Sequence, residues 1–321
     1  MRKSIKRKIT GKQEIIERIK KEAPEQPGVY QFKNKFGKII YIGKSINLKN
    51  RLLNHFSSLP NYEESRLRMV HEIEDFTFDI TRTELEALLL EDFLIKTHLP
   101  VYNTRQKEME ENVQVDFSAH EFPLVSQQAF SAEHFDINSF GPYKDKYFAE
   151  KLIEILKEEF GIRTCRGSLP EAACSLLGLN RCFGPCIKEI SLPDYLKNIE
   201  DARHFLHGLN KALQEKLARQ MKQFSAEMKF EKAQAVKEKL EFITKYQERQ
   251  QFLIRFREEK INFSDSDHPD IIYSFEYGNY LVFKKDETRP TKIPDNTGGN
   301  LQFISDRGNI VYNYRKNLLI C

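Results

Sequence analysis

The chain has 321 residues, 31% of them charged, with 51 Lys and Arg against 47 Asp and Glu for a net charge of +4. That length exceeds one ordinary core and implies two to four modules. No apolar run approaches the ~18 residues of a membrane span, and the basic N-terminus has no apolar core behind it, which excludes a secretory signal. Four of the five cysteines fall between 165 and 186. This fits a metal or cluster site in a reducing, cytoplasmic setting better than a disulfide framework.

Residues 1–23 form a basic N-terminal extension. Arg2, Lys3, Lys6, Arg7, Lys8 and Lys12 stand without an acid among them. This reads as a solvated tail, with an arm along a DNA backbone as the sharper alternative. A module over 24–107 follows. Gly28–Phe32 and Ile39–Ile42 are β-branched and aromatic runs about a Gly-containing turn, the pattern of a hairpin. Ser45 is placed to cap a helix that buries Leu48, Leu52 and Phe56 and sets Arg51 and His55 four residues apart on one face. Phe76–Ile80 alternates as a third strand. Thr83-Glu84-Leu85-Glu86 is a capping box opening a helix that ends before Leu99-Pro100. The fold class is α+β: a small three-stranded antiparallel sheet with flanking helices.

Between Gln31 and Tyr62 there is no acid, but there are Lys33, Lys35, Lys38, Lys44, Lys49 and Arg51 around Tyr30 and Tyr41. A site that cuts a polyanion needs such a positive field. Glu91 lies beside the apolar residues Ala87–Leu90 and Phe93–Ile95, so it needs a partner: a neighbouring Lys, or a cation.

Residues 108–190 read as a linker (106–118) and a cysteine-rich helical region. A turn falls at Phe140–Tyr143, and a helix carries Phe148, Leu152, Ile155 and Phe160. Cys165, Cys174, Cys182 and Cys186 are separated by eight, seven and three residues. They are either one four-thiolate site or four idle thiols. Over 191–252, Leu206, Leu209, Leu213, Leu217, Met221, Phe224 and Met228 mark one amphipathic helix. Phe230, Ala233, Val236, Leu240 and Ile243 mark a second, making a helical hairpin. Residues 253–321 read as a small β-rich segment, with strands at Ile271–Phe275, Tyr280–Phe283, Phe303–Ile304 and Ile310–Tyr314. Asp265, Asp267 and Asp270 read as a solvated acidic loop.

The triplets Gly28-Val29-Tyr30 and Tyr41-Ile42-Gly43, Lys44, and Arg51 ten residues past Tyr41 resemble the GIY-YIG nuclease family. Glu86–Glu91 and Pro100-Val101-Tyr102-Asn103 resemble its UvrC branch, as do Phe140–Tyr143, Arg163-Thr164-Cys165 and Arg181–Cys186. Phe230-Glu231-Lys232-Ala233 resembles the UVR hairpin by which that branch pairs with UvrB, with Gln234 and Lys237-Glu238 departing from the usual residues. The arrangement is similar to the short, Cho-like members that make only the 3′ incision. The ribonuclease-H-like nuclease of longer members has no counterpart in 253–321.

The resemblance implies a DNA endonuclease acting on lesion-bearing duplexes in nucleotide excision repair. Tyr41 would be its general base, with Tyr30 in the proton network, and Lys44 and Arg51 nearby would favour the tyrosinate. Glu91 would hold one Mg²⁺ or Mn²⁺, and Asn103 would lie near the site. His55 replaces the branch's usual Tyr; it either shares base work near neutral pH or packs against its helix. The four cysteines would hold a [4Fe-4S] cluster, or structural zinc. Met221, Phe224, Met228 and Phe230 would meet a UvrB-like protein. Two other functions stand beside this one: a UvrB-independent nuclease on branched DNA, and a non-catalytic docking protein.

Overall fold

A computed structural model describes residues 12–57, 64–103, 112–284 (apart from 132, 144, 166, 180, 181 and 210), 301–315 and 318–320. The basic stretch 1–11 and the first part of the expected linker lie outside the described residues.

The first sheet contains β1 (Gly28–Lys33), β2 (Ile39–Ser45) and β3 (Asp75–Ile80) in the antiparallel order β2-β1-β3. β1 is central, so alternate side chains bury on opposite faces. Tyr30 and Phe32 face α1 (Gln13–Glu22), α2 (Leu48–Phe56) and α3 (Glu64–Glu72), within a core that includes Ile19, Leu52 and Val70. Val29 faces α4 (Glu84–His98), where it packs with Ile42, Ala87 and Ile95.

Two expectations are corrected here. Residues 13–22 of the expected N-terminal extension are a helix that belongs to the first core: Ile15 and Ile19, four apart, make a stripe that packs there. Lys12 is buried too, its ammonium on the Ile73 carbonyl and 2.7 Å from Glu74. The cap of α2 is Asn47, whose side chain accepts the Asn50 N–H at 3.0 Å, while the Ser45 hydroxyl folds onto the Asn47 backbone.

The second sheet, in the order β5-β4-β6, consists of β4 (Val113–Phe117), β5 (Val125–Ala129) and β6 (Ser139–Tyr143). Residues 113–117 are thus strand rather than linker. Val113, Val115 and Phe117 alternate into a core shared with α5 (Lys146–Phe160). A short turn, α6 (Ser175–Gly178), precedes α7 (Leu192–Leu206), α8 (Ala212–Ala226) and α9 (Phe230–Glu258).

The single helix expected from Leu206 to Met228 is two. Gly208 breaks it at φ +75°, with Leu209 left exposed. The expected boundary at 190/191 also moves, because Tyr195, Ile199 and Phe205 of α7, and Leu213, Leu217, Ile243 and Tyr246 at the base of the α8/α9 hairpin, complete the second core.

The third sheet, β10-β7-β8-β9, is built from β7 (Lys260–Asp265), β8 (Ile271–Glu276), β9 (Asn279–Lys284) and β10 (Leu318–Ile320). Phe303–Ile304 and Ile310–Tyr314 are not strands; both lie in α10 (Leu301–Tyr314). Ile304, Gly308 and Val311 recur at helical spacing, and Gly308 lies so close to Leu253 and Phe256 that a Cβ would clash at 2.8 Å. Asp265 is no solvated loop residue either. It is buried and accepts from the Asp267 N–H at 2.9 Å and the Tyr314 hydroxyl at 3.3 Å.

This third core takes in Leu85 and Leu89 of α4. That helix is therefore covered on two sides, by the first sheet and by the third. Lys96, near its end, sits 2.6 Å from Asp92 and 3.0 Å from Asp306 of α10. No helix among the described residues is long and apolar enough to cross a membrane.

Candidate active site

The site is organised by a bulge. β1 and β2 pair Phe32 with Tyr41 and Lys33 with Ile39, leaving Ile40 as the extra residue. A bulge re-aims the side chains beside it. Here Ile40 and Tyr41 join the same core as Tyr30, whereas Ile39 and Ile42 join the α4 face. Tyr41 thereby lands 6.0 Å from Tyr30 and 5.7 Å from His55, ring centre to ring centre.

Tyr30 is fully buried and paired across the strands with Gly43. A Cβ at Gly43 would stand 2.5 Å from the Tyr30 hydroxyl, so the glycine of the second triplet makes room for the tyrosine of the first. Gly28 has a comparable duty: its Cβ would meet the Asp79 carbonyl at 2.3 Å.

The Tyr30 hydroxyl lies 2.7 Å from His55 Nε2. Burial, and then Tyr41 beside it, push the Tyr30 pKa far up, although Arg51 opposes this. Tyr30 thus stays protonated. The tyrosines in turn raise the pKa of Arg51. His55 is pulled down to about 3, first by burial and then by Arg66 and Arg51. Burial and the two arginines thus favour its neutral form. Whether the Tyr30 hydroxyl or His55 Nε2 donates depends on the imidazole tautomer, and the buried His55 Nδ1 has no hydrogen-bond partner among the described residues.

Glu91 enters from α4. Its Oε1 accepts the backbone N–H of Lys44 at 2.8 Å. The Lys44 ammonium turns away to Glu84, one helical face along at i−7 from Glu91. Glu84 was missed in the sequence although that spacing exposed it. Among the described residues no lysine ammonium forms an ion pair with Glu91, and burial pushes its pKa up. A half-buried carboxylate held by one amide and lacking a full counter-charge fits a cation ligand. Among the described residues no three His, Cys, Asp or Glu side chains form a ready metal cage, so a cation on Glu91 would not be enclosed by three such ligands.

Arg51, not Lys44, is the cation on the tyrosines. Asn103 does not reach them: its Oδ1 accepts from the Ile42 N–H at 2.9 Å and its Nδ2 donates to the Ile42 carbonyl at 2.7 Å. Both ends of that amide are used in clamping β2.

Cys182 is buried, Cys165 and Cys186 are half-buried, and Cys174 is exposed; all four are free thiols. Burial raises the Cys182 pKa, the Gly184 N–H opposes this, and the other three thiols add to the rise; among the described residues no three of these thiols are gathered into a metal-holding group. Arg163, also missed, is buried beside them. Its guanidinium donates to the Phe122, Cys165 and Gly167 carbonyls at 2.7, 3.1 and 3.0 Å and lies 3.5 Å from Cys165 Sγ. On the hairpin, Met228 and Phe230 are exposed while Met221 and Phe224 are half-buried.

The UvrC-like GIY-YIG domain model matches residues 26–104, and the UvrC/Cho excinuclease middle domain model matches residues 113–205. UvrABC system protein C of Acetivibrio thermocellus is 32% identical over 270 residues, covering 82% of this chain and 43% of that protein. Its counterpart in Caldicellulosiruptor saccharolyticus is 35% identical over 223 residues, covering 68% and 37%. The chain spans about two fifths of the length of these relatives. The crystal structure of the GIY-YIG N-terminal endonuclease domain of UvrC from Thermotoga maritima, bound to its catalytic magnesium, is 41% identical, with a TM-score of 0.26, covering 29% of this chain and 99% of that one. With both domain models matched in order, the chain belongs to the UvrC family, as a GIY-YIG domain followed by a UvrC/Cho middle domain.

Proposed function

We propose that the chain is a metal-dependent DNA endonuclease of nucleotide excision repair, making a single 3′-side incision beside a lesion after recruitment by UvrB. The observation that carries this is the convergence of Tyr30, Tyr41 and Arg51 at the bulge, with Glu91 fixed by the next residue but two of the same strand, Lys44.

In this reading a cation, Mg²⁺ or Mn²⁺, on Glu91 supplies charge neutralisation at the phosphoryl oxygens and help for the leaving oxygen. Tyr41 takes the proton of the attacking water. Tyr30 remains protonated and donates to His55, so its oxygen is free to accept from Arg51. That holds Arg51 in place to clamp the phosphate. Asn103 is a positioning residue, keeping β2 where Tyr41 and Lys44 need it.

The four cysteines are assigned to a structural [4Fe-4S] cluster, with zinc as the alternative. Arg163 supports an anionic occupant, because it is a buried guanidinium whose hydrogen bonds go to carbonyls and not to a carboxylate among the described residues. The exposed apolar tip at Met228 and Phe230, with Met221 and Phe224 behind it, is the surface for the matching UvrB hairpin.

The test is incision of a duplex with one defined lesion, end-labelled on either side, with and without UvrB. One cut on the 3′ side that needs both UvrB and a divalent cation supports the proposal. Equal cutting without UvrB overturns the recruitment step, and no cutting under any condition overturns the nuclease.

A further inference from the structure

A cavity of about 220 Å³ opens where the second and third modules meet, and none of its lining residues comes from the nuclease module. Arg249, Leu253 and Arg257 line it at four-residue intervals along α9, so one face of that helix forms a wall. Arg249 Nε donates to Asn309 at 2.8 Å, and its guanidinium lies 5.9 Å from the Phe148 ring centre. Among the described residues no carboxylate pairs with it, and burial lowers its pKa.

The acid in the lining, Asp136, accepts the Asn138 N–H at 2.7 Å and the Ser139 hydroxyl at 3.3 Å, and these bonds, with Arg203, lower its pKa. Arg257 touches Glu258 at 3.3 Å in a pair open to solvent, a contact that contributes little. His207 packs edge-on against Phe140, ring centres 5.0 Å apart. It is held neutral by burial first, then by Arg257 and His204, with Glu200 and Glu258 opposing.

A guanidinium taken from water without a counter-charge is costly, and an anion relieves that cost. The planar fork of arginine matches phosphate oxygens. Phe140, Pro142 and the His207 ring add a flat wall beside the two cations.

We propose that this cleft is a phosphate-binding site that takes the phosphate of a nucleotide, free or within a DNA strand, on Arg249 and Arg257. It shares no residue with the nuclease site, so it stands or falls separately from the function proposed above.

The full chain is tested in EDTA, where no metal-dependent cutting occurs. The probes are inorganic phosphate, dAMP and a single-stranded 12-mer with no terminal phosphate. Arg249→Gln and Arg257→Gln should each weaken binding about tenfold, the loss of roughly one charge-assisted hydrogen bond. For the 12-mer each should also lower the salt slope by about one. Arg257 is exposed, so its substitution should leave the fold intact. The His207 imidazole, followed by NMR titration, should rise in pKa when phosphate binds, a response that packing alone does not give. Tight dAMP that the 12-mer fails to displace identifies a free nucleotide; displacement identifies a strand. Equal affinity of all three probes for wild type and both variants, with His207 unmoved, overturns the site.

Discussion

The Tyr273 hydroxyl lies 2.6 Å from the Thr83 hydroxyl, both buried, and this hydrogen bond joins residues 190 positions apart. Thr83 is also the cap of α4, accepting the Glu86 N–H at 3.3 Å. The third module thus grips the helix that carries Glu91 at its N-terminal end, and Lys96–Asp306 grips it near the other end. Tyr273→Phe should lower unfolding free energy by about 1 kcal/mol, the net worth of one hydrogen bond. Urea unfolding measures it. An unchanged midpoint would mean that Leu85, Leu89 and the Lys96–Asp306 pair hold the module without this hydrogen bond.

Glu91→Gln should abolish incision and leave the fold intact. The amide keeps the shape and still accepts from the Lys44 N–H, but it loses the charge a cation needs. Binding of Mn²⁺ followed by electron paramagnetic resonance gives a readout apart from cutting. Undiminished Mn²⁺ binding in the variant would move the metal elsewhere.

Gly43→Ala should displace Tyr30. The new methyl would stand 2.5 Å from the hydroxyl and 2.6 Å from the ring carbon bearing it, an overpacking that costs about 1–3 kcal/mol. Incision should fall with it. The double variant Gly43→Ala/Tyr30→Leu should regain stability but not incision, separating the packing role of Gly43 from the chemical role of Tyr30. If Gly43→Ala alone proves as stable and active as wild type, Tyr30 has room that the structure denies it.

His55 supplies a pH signature. Its folded pKa of about 3 lies below the unfolded 6.5. Between those values the unfolded chain binds the proton and the folded chain does not. Stability is therefore fully present above pH 6.5 and is lost as pH falls toward 3, with a slope of up to about 1.4 kcal/mol per unit. His55→Phe should flatten the slope over that range. It should also leave the pH–rate profile near neutrality without a lost inflection, because His55 does not titrate there. A slope unchanged by the substitution would show that His55 charges freely in the folded protein.

The cysteine prediction is compositional. Anaerobically purified protein should carry iron and sulfide that disappear in Cys182→Ser/Cys186→Ser. Stoichiometric zinc would identify a zinc knot, and neither metal would leave four idle thiols.

Much of the first module was legible because each of its signals was local. The turn at Asn34–Lys38, the capping box at Thr83 and the stop at Leu99-Pro100 all act within a few residues. Two signals were present and unread. Val113, Val115 and Phe117 alternate as a strand should, but sit next to a polar run, and Ile304, Gly308 and Val311 keep helical period in a segment rich in strand formers. Other features were not readable at all. Nothing near Asn103 announces that it clamps Ile42, and nothing near Thr83 points to Tyr273. The re-aiming of Tyr41 depends on one unpaired residue, Ile40, which only strand register reveals. The charge state of His55 required knowing what buries it.

Because α4 is walled on two sides by segments made far apart in time, the order of synthesis matters. Ribosomes add about 5–20 residues per second and domains tend to fold as they emerge. The side of α4 that carries Leu85 and Leu89 therefore waits tens of seconds, until Tyr273 and its neighbours have left the tunnel. A nascent chain that ends short of that point carries the tyrosines, Arg51 and Glu91, yet leaves the helix beneath Glu91 uncovered on one side. The helix beneath Glu91 is completed by residues made long after it, so a chain abandoned between the two leaves that helix propped on one side only.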